Sequence, residues 1–307
     1  MSALRAGVKV AGLTTLSASV AYSGYQYYNT TNVFLTAHAE SLPSDSKAAL
    51  KKMEWKGFTE MKLQSAEQVN HNVKRLTFAL PTDDSTTGLL PITSLLTRHT
   101  PEGAWIPVFR PYTPVSDNDI PGTVTFMVKR YEGGKGSGKM HSLKPGDSML
   151  FKPLQELEYK PNEFKSMLFI AGGSGITPIY QLTRSILRNP EDKTKISLIY
   201  ANNTEEDILL RKEFEEFEKQ YPDRFKKLFT VSKKSSADSD VEQGYVTREM
   251  IKKVSLDDGR VGKVLCSGPP AMIEAVAGKK GAWGWTQSQP GGVLKELGYG
   301  KEEIHKF

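Results

Sequence analysis

Three side chains that could bind an anion lie close together in the stretch Arg-Pro-Tyr-Thr-Pro-Val-Ser, which begins at Arg110. A guanidinium can hold two phosphate oxygens at once, and the hydroxyls of Tyr112 and Thr113 can add hydrogen bonds. Pro111 and Pro114 confine the backbone to extended or edge positions, which leaves these polar groups free for a ligand. The stretch therefore predicts a phosphate site on a strand. The alternative is an edge strand with a solvated arginine.

A second anion site is indicated by Gly-Gly-Ser-Gly-Ile-Thr-Pro at 172–178. It follows an apolar run at 167–171, typical of a buried strand, and precedes helical spacing at 179–188. Backbone N–H groups and the helix dipole at such a junction attract a negative group, and glycine lets that group approach closely. Pro178 occupies the third glycine position of the dinucleotide fingerprint G-x-G-x-x-G, so an ordinary tight turn is the alternative.

The C-terminal half continues to alternate strand and helix patterns, which predicts a doubly wound parallel sheet over residues 161–307. Its last predicted turn is Cys-Ser-Gly-Pro-Pro at 266–270, where a proline suits the first turn of a helix. Both glycine turns should open at the carboxyl edge of the sheet, where ligands bind in such folds. Predicted strands cover 195–200, 225–231 and 261–266, and predicted helices cover 206–219, 247–254 and 270–277.

The preceding part of the chain has a different pattern. Residues 73–80 and 124–131 are rich in β-branched and aromatic side chains, with Pro and Gly between them and no long helical period. We therefore expect an antiparallel β-barrel at 50–160, ahead of the α/β domain.

Residues 133–139, Gly-Gly-Lys-Gly-Ser-Gly-Lys, begin like the phosphate-binding loop of an NTPase. The next residue is Met140, so the hydroxyl that would bind magnesium is missing. No later apolar strand ends in a magnesium-binding Asp. The pattern disfavours an NTPase.

Taken in order along the chain, RPYTPVS, GGKGS, GGSGITP, CSGPP and the ending from Leu294 to Phe307 resemble NADH-cytochrome b5 reductases, specifically their fungal mitochondrial form. The likeness runs from about Trp55 to Phe307. It implies a flavin-binding barrel followed by a nicotinamide-binding α/β domain, as in the ferredoxin reductase superfamily. It also implies hydride transfer from NADH to FAD, and release of single electrons to cytochrome b5 or a similar acidic haem protein.

Carried over position by position, the resemblance assigns Arg110 to the FAD pyrophosphate, Tyr112 to the flavin and ribityl region, and Thr113 to the neighbourhood of flavin N5. Thr177 is expected to face the flavin from the second domain, which makes both threonines candidate catalytic residues. Gly136 stands where the family has methionine, which loosens the loop while its amide keeps the contact. The other cofactor-binding residues implied are Pro111, Met127, Lys129, Tyr131, Gly134, Lys135 and Ser137 for FAD, and Gly172, Gly173, Gly175, Pro178, Gly268, Pro269 and Pro270 for NADH.

Cys266 is the only cysteine of the chain, so no disulfide forms within it. In many members of the family a cysteine directly precedes Gly-Pro-Pro and lies near the nicotinamide, whereas here Ser267 takes that place. One residue on a strand reverses the direction of the side chain. Both residues are therefore candidates for the catalytic site. The alternative is that Cys266 is a buried core thiol and that Ser267 alone lies beside the hydride path.

The choice between NADH and NADPH is expected at the acidic stretch 205–207, after the second strand of the α/β domain. A carboxylate there accepts a hydrogen bond from a free ribose hydroxyl and repels a 2′-phosphate. Asp207 matches the family position linked to this choice, which favours NADH. An acidic helix N-terminus that stabilises the dipole is a compatible explanation.

Composition limits the partners. A net charge of +6 and a pI near 9.1 favour acidic partners, whereas no basic run is interleaved with aromatic residues, so nucleic acid is not expected. The five histidines show no metal-ligand spacing, and we expect no metal. We expect a monomer.

Two rival functions are a related FAD/NAD(P)H reductase with another acceptor, and a cofactor-free, membrane-tethered binding protein.

The first 39 residues differ from the rest. Arg5 and Lys9 are the only charges before Glu40, and residues 10–28 are uncharged but only marginally apolar. Such a segment suits a membrane anchor or a mitochondrial presequence, with a candidate processing site at 37–39. The resemblance implies a form anchored in the mitochondrial outer membrane and a processed form in the intermembrane space.

Overall fold

Two six-stranded sheets organise the chain. The computed structural model describes residues 51–237, 239–256, 260–281 and 286–307. One sheet is antiparallel, with the strand order β6 (Val108–Tyr112), β5 (Thr93–His99), β8 (Ser148–Gln155), β2 (Thr59–Asn70), β3 (Val73–Ala79) and β7 (Thr123–Lys129). The other is parallel, with the order β12 (Glu242–Gln243), β11 (Phe225–Val231), β10 (Lys195–Asn202), β9 (Ser166–Gly172), β13 (Lys263–Ser267) and β14 (Ile304–Lys306). The predicted barrel and the predicted doubly wound domain are thus confirmed. Both belong to one compact unit, Lys47–Phe307.

The antiparallel sheet follows from alternation of apolar and polar side chains. In β3, Val73, Leu76 and Phe78 are buried while the residues between them are partly exposed. A main-chain hydrogen bond from Val115 N to Thr125 O, 2.8 Å long, connects the segment after β6 with β7, the strand at the opposite end of the sheet. The elements are β1 (Lys51–Lys52), β2 (Thr59–Asn70), β3 (Val73–Ala79), β4 (Ser85–Thr86), β5 (Thr93–His99), β6 (Val108–Tyr112), β7 (Thr123–Lys129), α1 (Lys135–Ser142) and β8 (Ser148–Gln155).

Three phenylalanines fill the barrel. The ring centroid of Phe151 lies 4.9 Å from that of Phe78, edge to face, and 5.4 Å from that of Phe126, which is stacked on it. Aromatic pairs at these separations add to the stability gained by burial. This core holds β3, β7 and β8 together beneath the strand that carries Arg110.

The parallel sheet is built from strands buried on both faces. Every residue of β9 (Ser166–Gly172) is buried, because helices cover both sides of the sheet. The chain runs outward from β9 through β10 to β11, and then returns to the other side of β9 as β13. The remaining elements are α2 (Ile176–Arg188), β10 (Lys195–Asn202), α3 (Arg211–Gln220), β11 (Phe225–Val231), β12 (Glu242–Gln243), α4 (Arg248–Val254), β13 (Lys263–Ser267), α5 (Pro270–Ala277), α6 (Gly292–Glu296) and β14 (Ile304–Lys306).

The predicted helix at 206–219 is wrong in its first turn. A short 3-10 turn, Glu205–Asp207, comes first, and α3 begins only at Arg211. Leu210 between them has a left-handed backbone, with φ of 56°. The Asp207 side chain caps the 3-10 turn through Thr204, so a local polar contact takes the place of helical bonding.

The family resemblance implies a loop at residues 134–137, but α1 begins within it, at Lys135. Met140 is fully buried in the barrel core and Leu143, just after the helix, is nearly so. Burial of these side chains outweighs the low helix propensity of Gly136 and Gly138.

No helix in the part of the chain that the structure describes combines the length and apolar character needed to cross a bilayer. The predicted anchor or targeting segment, residues 1–39, lies outside the described residues. It stays a prediction.

Candidate functional site

Arg110 lies on β6, the edge strand of the barrel sheet. The strand pairs with β5, where Thr97 faces Arg110 and donates from its Oγ1 to the Arg110 carbonyl over 2.9 Å. An edge strand tolerates Pro111, which has no N–H to give to a neighbour. The Arg110 side chain is exposed, and its Nη1 donates to the Phe109 carbonyl over 2.7 Å. The guanidinium is thus held at the mouth of the site with donors left for an anion.

The start of α1 faces this guanidinium. A methyl group at Gly136 would lie 2.5 Å from Cγ of Arg110, so the missing side chain leaves room for the arginine in its observed position. Ser137 accepts a hydrogen bond from the backbone N–H of Tyr131 over 3.2 Å. The N–H groups of the first helical turn have no partner within the helix, which makes this end of α1 suited to an anion.

Tyr112 and Thr113 continue inward from Arg110. Burial raises the pKa of Tyr112 to about 12, although the positive charge of Arg110 opposes the shift. The phenol therefore stays neutral and can donate a hydrogen bond throughout the physiological range. Thr113 is buried, and its Oγ1 lies 2.9 Å from Oγ of Ser94 on β5.

The two glycine turns of the parallel sheet meet at its carboxyl edge. A methyl group at Gly175 would lie 2.5 Å from the Ser267 carbonyl oxygen and 2.6 Å from the Gly268 nitrogen. Only glycine lets these backbones approach so closely. The contact falls between β9 and β13, where the strand order reverses, which is the usual ligand position in such folds.

A cleft of about 510 Å³ connects the barrel motif with the glycine turns. Across it, the hydroxyls of Tyr131 and Ser174 lie 2.7 Å apart. The cleft is lined by Ser94, Arg110, Pro111, Tyr112, Thr113, Met127, Val128, Lys129, Tyr131, Gly134, Gly136, Ser137, Glu156, Ser174, Gly175, Thr177, Pro178, Ser267, Gly268, Pro269, Pro270 and Phe307.

Most residues singled out from the sequence come together in this lining, and five others join them. Ser94, Val128, Glu156, Ser174 and Phe307 were not predicted. Ser174 and Val128 are each next in sequence to predicted residues, so their position within the motifs could have indicated them. Nothing in their own sequence context marks Ser94 or Glu156, since strand pairing brings them to the cleft.

The adjacent residues Cys266 and Ser267 have different surroundings. Ser267 lines the cleft, whereas Cys266 is fully buried in the core formed by β9, β13 and their helices. Burial raises the pKa of the Cys266 thiol to about 12, with Lys306 opposing. The thiol is therefore neutral and has no contact with the cleft.

Lys135, Gly172, Gly173 and Asp207 lie outside the cleft lining. The Asp207 carboxylate is almost fully buried. Its Oδ2 accepts from Oγ1 of Thr204 over 3.1 Å, and its Oδ1 lies 3.3 Å from Nζ of Lys129. Because Lys129 is on the barrel, this ion pair joins the two halves of the molecule beside the cleft.

The donor set of the cleft fits a ligand that carries a diphosphate. On its barrel side the cleft presents a guanidinium, a neutral phenol and the N-terminus of a helix. On its sheet side it presents the backbone of glycine residues. In the part of the chain that the structure describes, no group of histidine, cysteine or carboxylate side chains could hold a metal ion. The fold and the cleft together define a two-domain oxidoreductase that uses a flavin and a nicotinamide.

Comparisons with known proteins agree with that class. Residues 60–159 match the model of the oxidoreductase FAD-binding domain, and residues 169–278 match that of the oxidoreductase NAD-binding domain. The chain is 45% identical to an NADH-cytochrome b5 reductase 2 from Pyricularia oryzae, over 88% of this chain and 81% of the relative. A second relative of that name, from Lodderomyces elongisporus, is 38% identical over 95% of both chains.

A solved structure of the cytochrome b5 reductase domain of Ulva prolifera nitrate reductase is similar as well, with a TM-score of 0.70 and 30% identity. It covers 83% of this chain and 98% of that one. The chain belongs to the NADH-cytochrome b5 reductase family, and its cofactors are FAD and NADH. The family resemblance inferred from the motifs is thereby confirmed.

Proposed function

We propose that this protein takes hydride from NADH onto a bound FAD and passes the electrons one at a time to cytochrome b5. The observation that carries the proposal is the convergence of the Arg-Pro-Tyr-Thr strand, the α1 N-terminus and the two glycine turns on one cleft. FAD, when bound, supplies the chemistry that converts a two-electron donor into single-electron steps.

The barrel residues hold FAD in this proposal. Arg110 and the amides at the start of α1 bind the diphosphate, because both present donors to the same end of the cleft. Tyr112 binds farther in as a neutral donor, and Thr113 lies deepest. These residues orient the flavin ring and stabilise the negative charge that the ring gains on reduction.

The sheet residues hold NADH. Gly175 and Gly268 expose backbone at the cleft, so a flat ring can approach them closely. Thr177 in the first turn of α2 donates to the Ser174 carbonyl over 3.3 Å, which fixes its side chain at the cleft wall. Ser267 lines the same cleft next to Gly268 and is the small side chain that we propose beside the hydride path.

We also propose that Asp207 disfavours NADPH. Its carboxylate is held by Thr204 and offsets the charge of Lys129, so that lysine is not an unpaired cation to which a 2′-phosphate could bind. The test is stopped-flow reduction of the purified, FAD-loaded protein by NADH and by NADPH. Comparable reduction by both would contradict the role of Asp207 while leaving the enzyme assignment intact.

The acceptor is tested in the second half of the same experiment. The reduced protein is mixed with cytochrome b5, and haem reduction is followed by its absorbance. Rapid haem reduction is expected, since a basic protein attracts an acidic haem partner. A yellow protein that NADH bleaches but cytochrome b5 does not reoxidise would support a reductase with another acceptor. A colourless protein that cannot be reconstituted with FAD would support a binding protein instead.

We propose, from the sequence of residues 1–39, that the protein is directed to mitochondria and held at the outer membrane. The support is the absence of acidic residues and the uncharged run at 10–28. Cell fractionation of the full chain and of a chain lacking residues 1–39 tests it. Equal distribution of both chains would contradict the proposal.

A further inference from the structure

A buried lysine lies directly behind the parallel-sheet side of the cleft. Lys306 is the last residue of β14, and its side chain is only 4% exposed. It does not belong to the cleft lining, whereas the next residue, Phe307, does. Charged side chains are seldom buried without partners, because removing the charge from water costs free energy. The partners of this lysine therefore show what holds the end of β14.

The ammonium group of Lys306 donates to three oxygen atoms of the segment that follows α5. Its Nζ lies 3.0 Å from the Lys279 carbonyl oxygen, 3.0 Å from Oγ of Ser288 and 3.4 Å from the Gln289 carbonyl oxygen. An ammonium group has three N–H donors, so each of them has an acceptor here. The buried charge is thus held in one place by neutral oxygens.

Gln287 binds the main chain of the same lysine. Its Oε1 accepts from Lys306 N over 2.9 Å, and its Nε2 donates to the Lys306 carbonyl over 3.1 Å. Because β14 is the edge strand of the parallel sheet, this side-chain amide takes the place of a neighbouring strand. Residues 279–281 and 286–289, called the clasp from here on, therefore hold both the backbone and the side chain of Lys306.

The clasp is attached closely to the end of α5. Gly291 N donates to the Ala277 carbonyl over 3.0 Å, so the chain returns to the helix after the clasp. A methyl group at Gly278 would lie 2.6 Å from the Gly291 nitrogen, which shows how closely the two backbones pack. Since α5 begins at Pro270 of the Gly-Pro-Pro turn, the clasp connects that turn with β14.

Phe307 lies beside the side chain that we propose for the hydride path. Its N–H donates to the Cys266 carbonyl over 2.9 Å, which continues the pairing of β14 with β13. The register that pairs Cys266 with Lys306 brings Phe307 next to Ser267, and both line the cleft. An aromatic ring in this position can form a wall for a flat ligand, because aromatic faces pack on one another.

We propose that Lys306 is a positioning residue, which together with Gln287 holds Phe307 as a fixed wall on which the nicotinamide of NADH packs. The inference rests on the proposed function, in which NADH binds at the glycine turns of this sheet. Lys306 acts through Phe307 and does not contact the ligand. The clasp joins Phe307 and the Gly-Pro-Pro turn into one rigid frame, so the width of the nicotinamide site depends on residues outside the cleft.

The test compares Lys306→Met with Lys301→Met in the FAD-loaded protein. Methionine is long and apolar enough to stay buried at position 306, but it donates no hydrogen bond to the clasp. Lys301 is an exposed lysine in the short turn before β14, so its replacement is the control. Gln287→Ala is a second test variant, which removes both bonds to the main chain of Lys306. Each protein is titrated with NAD⁺ and followed by difference absorbance, and the flavin band gives the FAD content.

Lys306→Met and Gln287→Ala should each weaken NAD⁺ binding by about 2- to 10-fold, the range expected for loss of one aromatic packing contact. The FAD content should stay the same, and Lys301→Met should behave as wild type. If Lys306→Met does not fold, Gln287→Ala decides alone. An NAD⁺ affinity equal to or higher than that of wild type in the folded test variants would overturn the inference.

A double-mutant cycle separates positioning of the ring from a general loss of stability. Lys306→Met is introduced into Phe307→Ala, and the NAD⁺ affinities of all four proteins are compared. Because the lysine acts through the ring, the double variant should bind NAD⁺ as Phe307→Ala does. Losses of affinity that add up would show that the lysine changes the cleft without the ring, which would overturn the inference.

Hydrogen exchange gives a readout independent of turnover. In protein labelled with ¹⁵N-phenylalanine, the amide resonance missing from Phe307→Ala identifies residue 307. Its exchange in D₂O should be faster in Lys306→Met than in wild type by about tenfold or more, because its bond to Cys266 opens more often. Unchanged exchange would overturn the inference. A wild-type protein that does not bind FAD, or that NADH does not reduce, would instead remove the proposed function and leave the exchange result standing.

Discussion

Contacts between backbone atoms set the shape of the parallel-sheet side of the cleft. Gly175 has an ordinary helical φ of −64°, so its conformation does not require glycine. What requires glycine is space, because the Ser267 carbonyl and the Gly268 nitrogen would lie 2.5 and 2.6 Å from a methyl group. Both are main-chain atoms of the neighbouring turn, and they cannot rotate away as a side chain can. The identity of residue 175 therefore controls the spacing of the two turns.

Gly175→Ala should weaken NADH binding and leave FAD in place. Overpacking of this kind costs about 1–3 kcal/mol, which corresponds to a loss of affinity of roughly 5- to 150-fold if it falls on the bound state. Titration with NAD⁺ followed by difference absorbance measures the affinity, and the flavin absorbance measures FAD content. Gly138→Ala is the control, because a methyl group there has open space and lies within α1. It should stabilise the fold by about 0.5–1 kcal/mol without changing the affinity. Equal affinities in the two variants would contradict the argument.

His305 on β14 should make stability fall with acid. Burial lowers the pKa of His305 from 6.5 to about 4, and the positive charges of Lys263 and Lys280 contribute to the shift. Between these two values the unfolded chain binds a proton that the folded chain does not, so this histidine's contribution is present above pH 6.5 and is lost as pH falls towards 4. His305→Gln should therefore flatten the decrease in melting temperature from pH 6.5 to 4. The exposed His71→Gln is the control, and a parallel decrease in wild type and His305→Gln would show that the histidine is not responsible.

Helix α2 joins the two ligand motifs through one buried side chain. Its N-terminus carries the glycine turn, and farther along the helix Arg184 donates to the Val115 carbonyl over 2.7 Å and to the Ser116 carbonyl over 2.5 Å. The Nε of Arg184 also lies 2.9 Å from Oδ1 of Asp117. Because Val115 and Ser116 end the stretch that begins at Arg110, the helix fixes the distance between that stretch and the glycine turn at 172–178.

Replacement of Arg184 by lysine should destabilise the protein much more than the same change at Arg188. Lysine keeps the charge but cannot reach both carbonyls and the carboxylate, and a lost hydrogen bond to a charged donor costs about 1.5–3 kcal/mol. Arg188 is partly exposed, and its hydrogen bonds to described residues go to the Asp117 carboxylate, at 2.8 Å, so its replacement should cost less than about 1 kcal/mol. Urea unfolding measures both. Similar losses in the two variants would mean that the carbonyl contacts contribute little.

The sequence predicted the elements that local patterns determine and missed those that depend on distant contacts. Strand β11 was predicted at its observed limits because its aromatic, aliphatic and β-branched residues, Phe225 and Leu228 to Val231, are a local signal of a strand. The break at Leu210 was missed, since it depends on a side-chain cap and a left-handed residue that periodicity does not show. Helix α1 was missed because its glycines argue against a helix, and only burial of Met140 in the barrel reverses that preference.

The same limit applies to the site. Arg110, Tyr112 and the glycine turns belong to contiguous motifs, so their types and spacing were sufficient to identify them. Ser94 and Glu156 reach the cleft beside Thr113 only because β5 lies between β6 and β8 in the sheet. Such pairing is set by the whole barrel. It could not have been obtained from a single stretch of sequence.

At the scale of the whole molecule, the barrel and the α/β sheet must stay in register for the cleft to exist. Several polar contacts bridge them around the cleft. Tyr131 meets Ser174, Asn70 donates to the Glu206 carbonyl over 3.0 Å, and Lys129 pairs with Asp207. The ion pair is well shielded from water, with its side chains 16% and 6% exposed. It should therefore contribute more than a pair on the surface.

A double-mutant cycle on Lys129→Met and Asp207→Asn tests this directly. The single variants also disturb other contacts, because Asp207 caps Thr204 and Lys129 lines the cleft, but the cycle cancels those effects and leaves the pair. We expect a coupling free energy of about 1–2 kcal/mol from guanidinium unfolding, within the range seen for residues in contact. The exposed pair Glu158 and Lys160, treated in the same way, should give a coupling near zero. If the two couplings were equal, the carboxylate at 207 would not hold the domains together, and its burial would serve only the local cap.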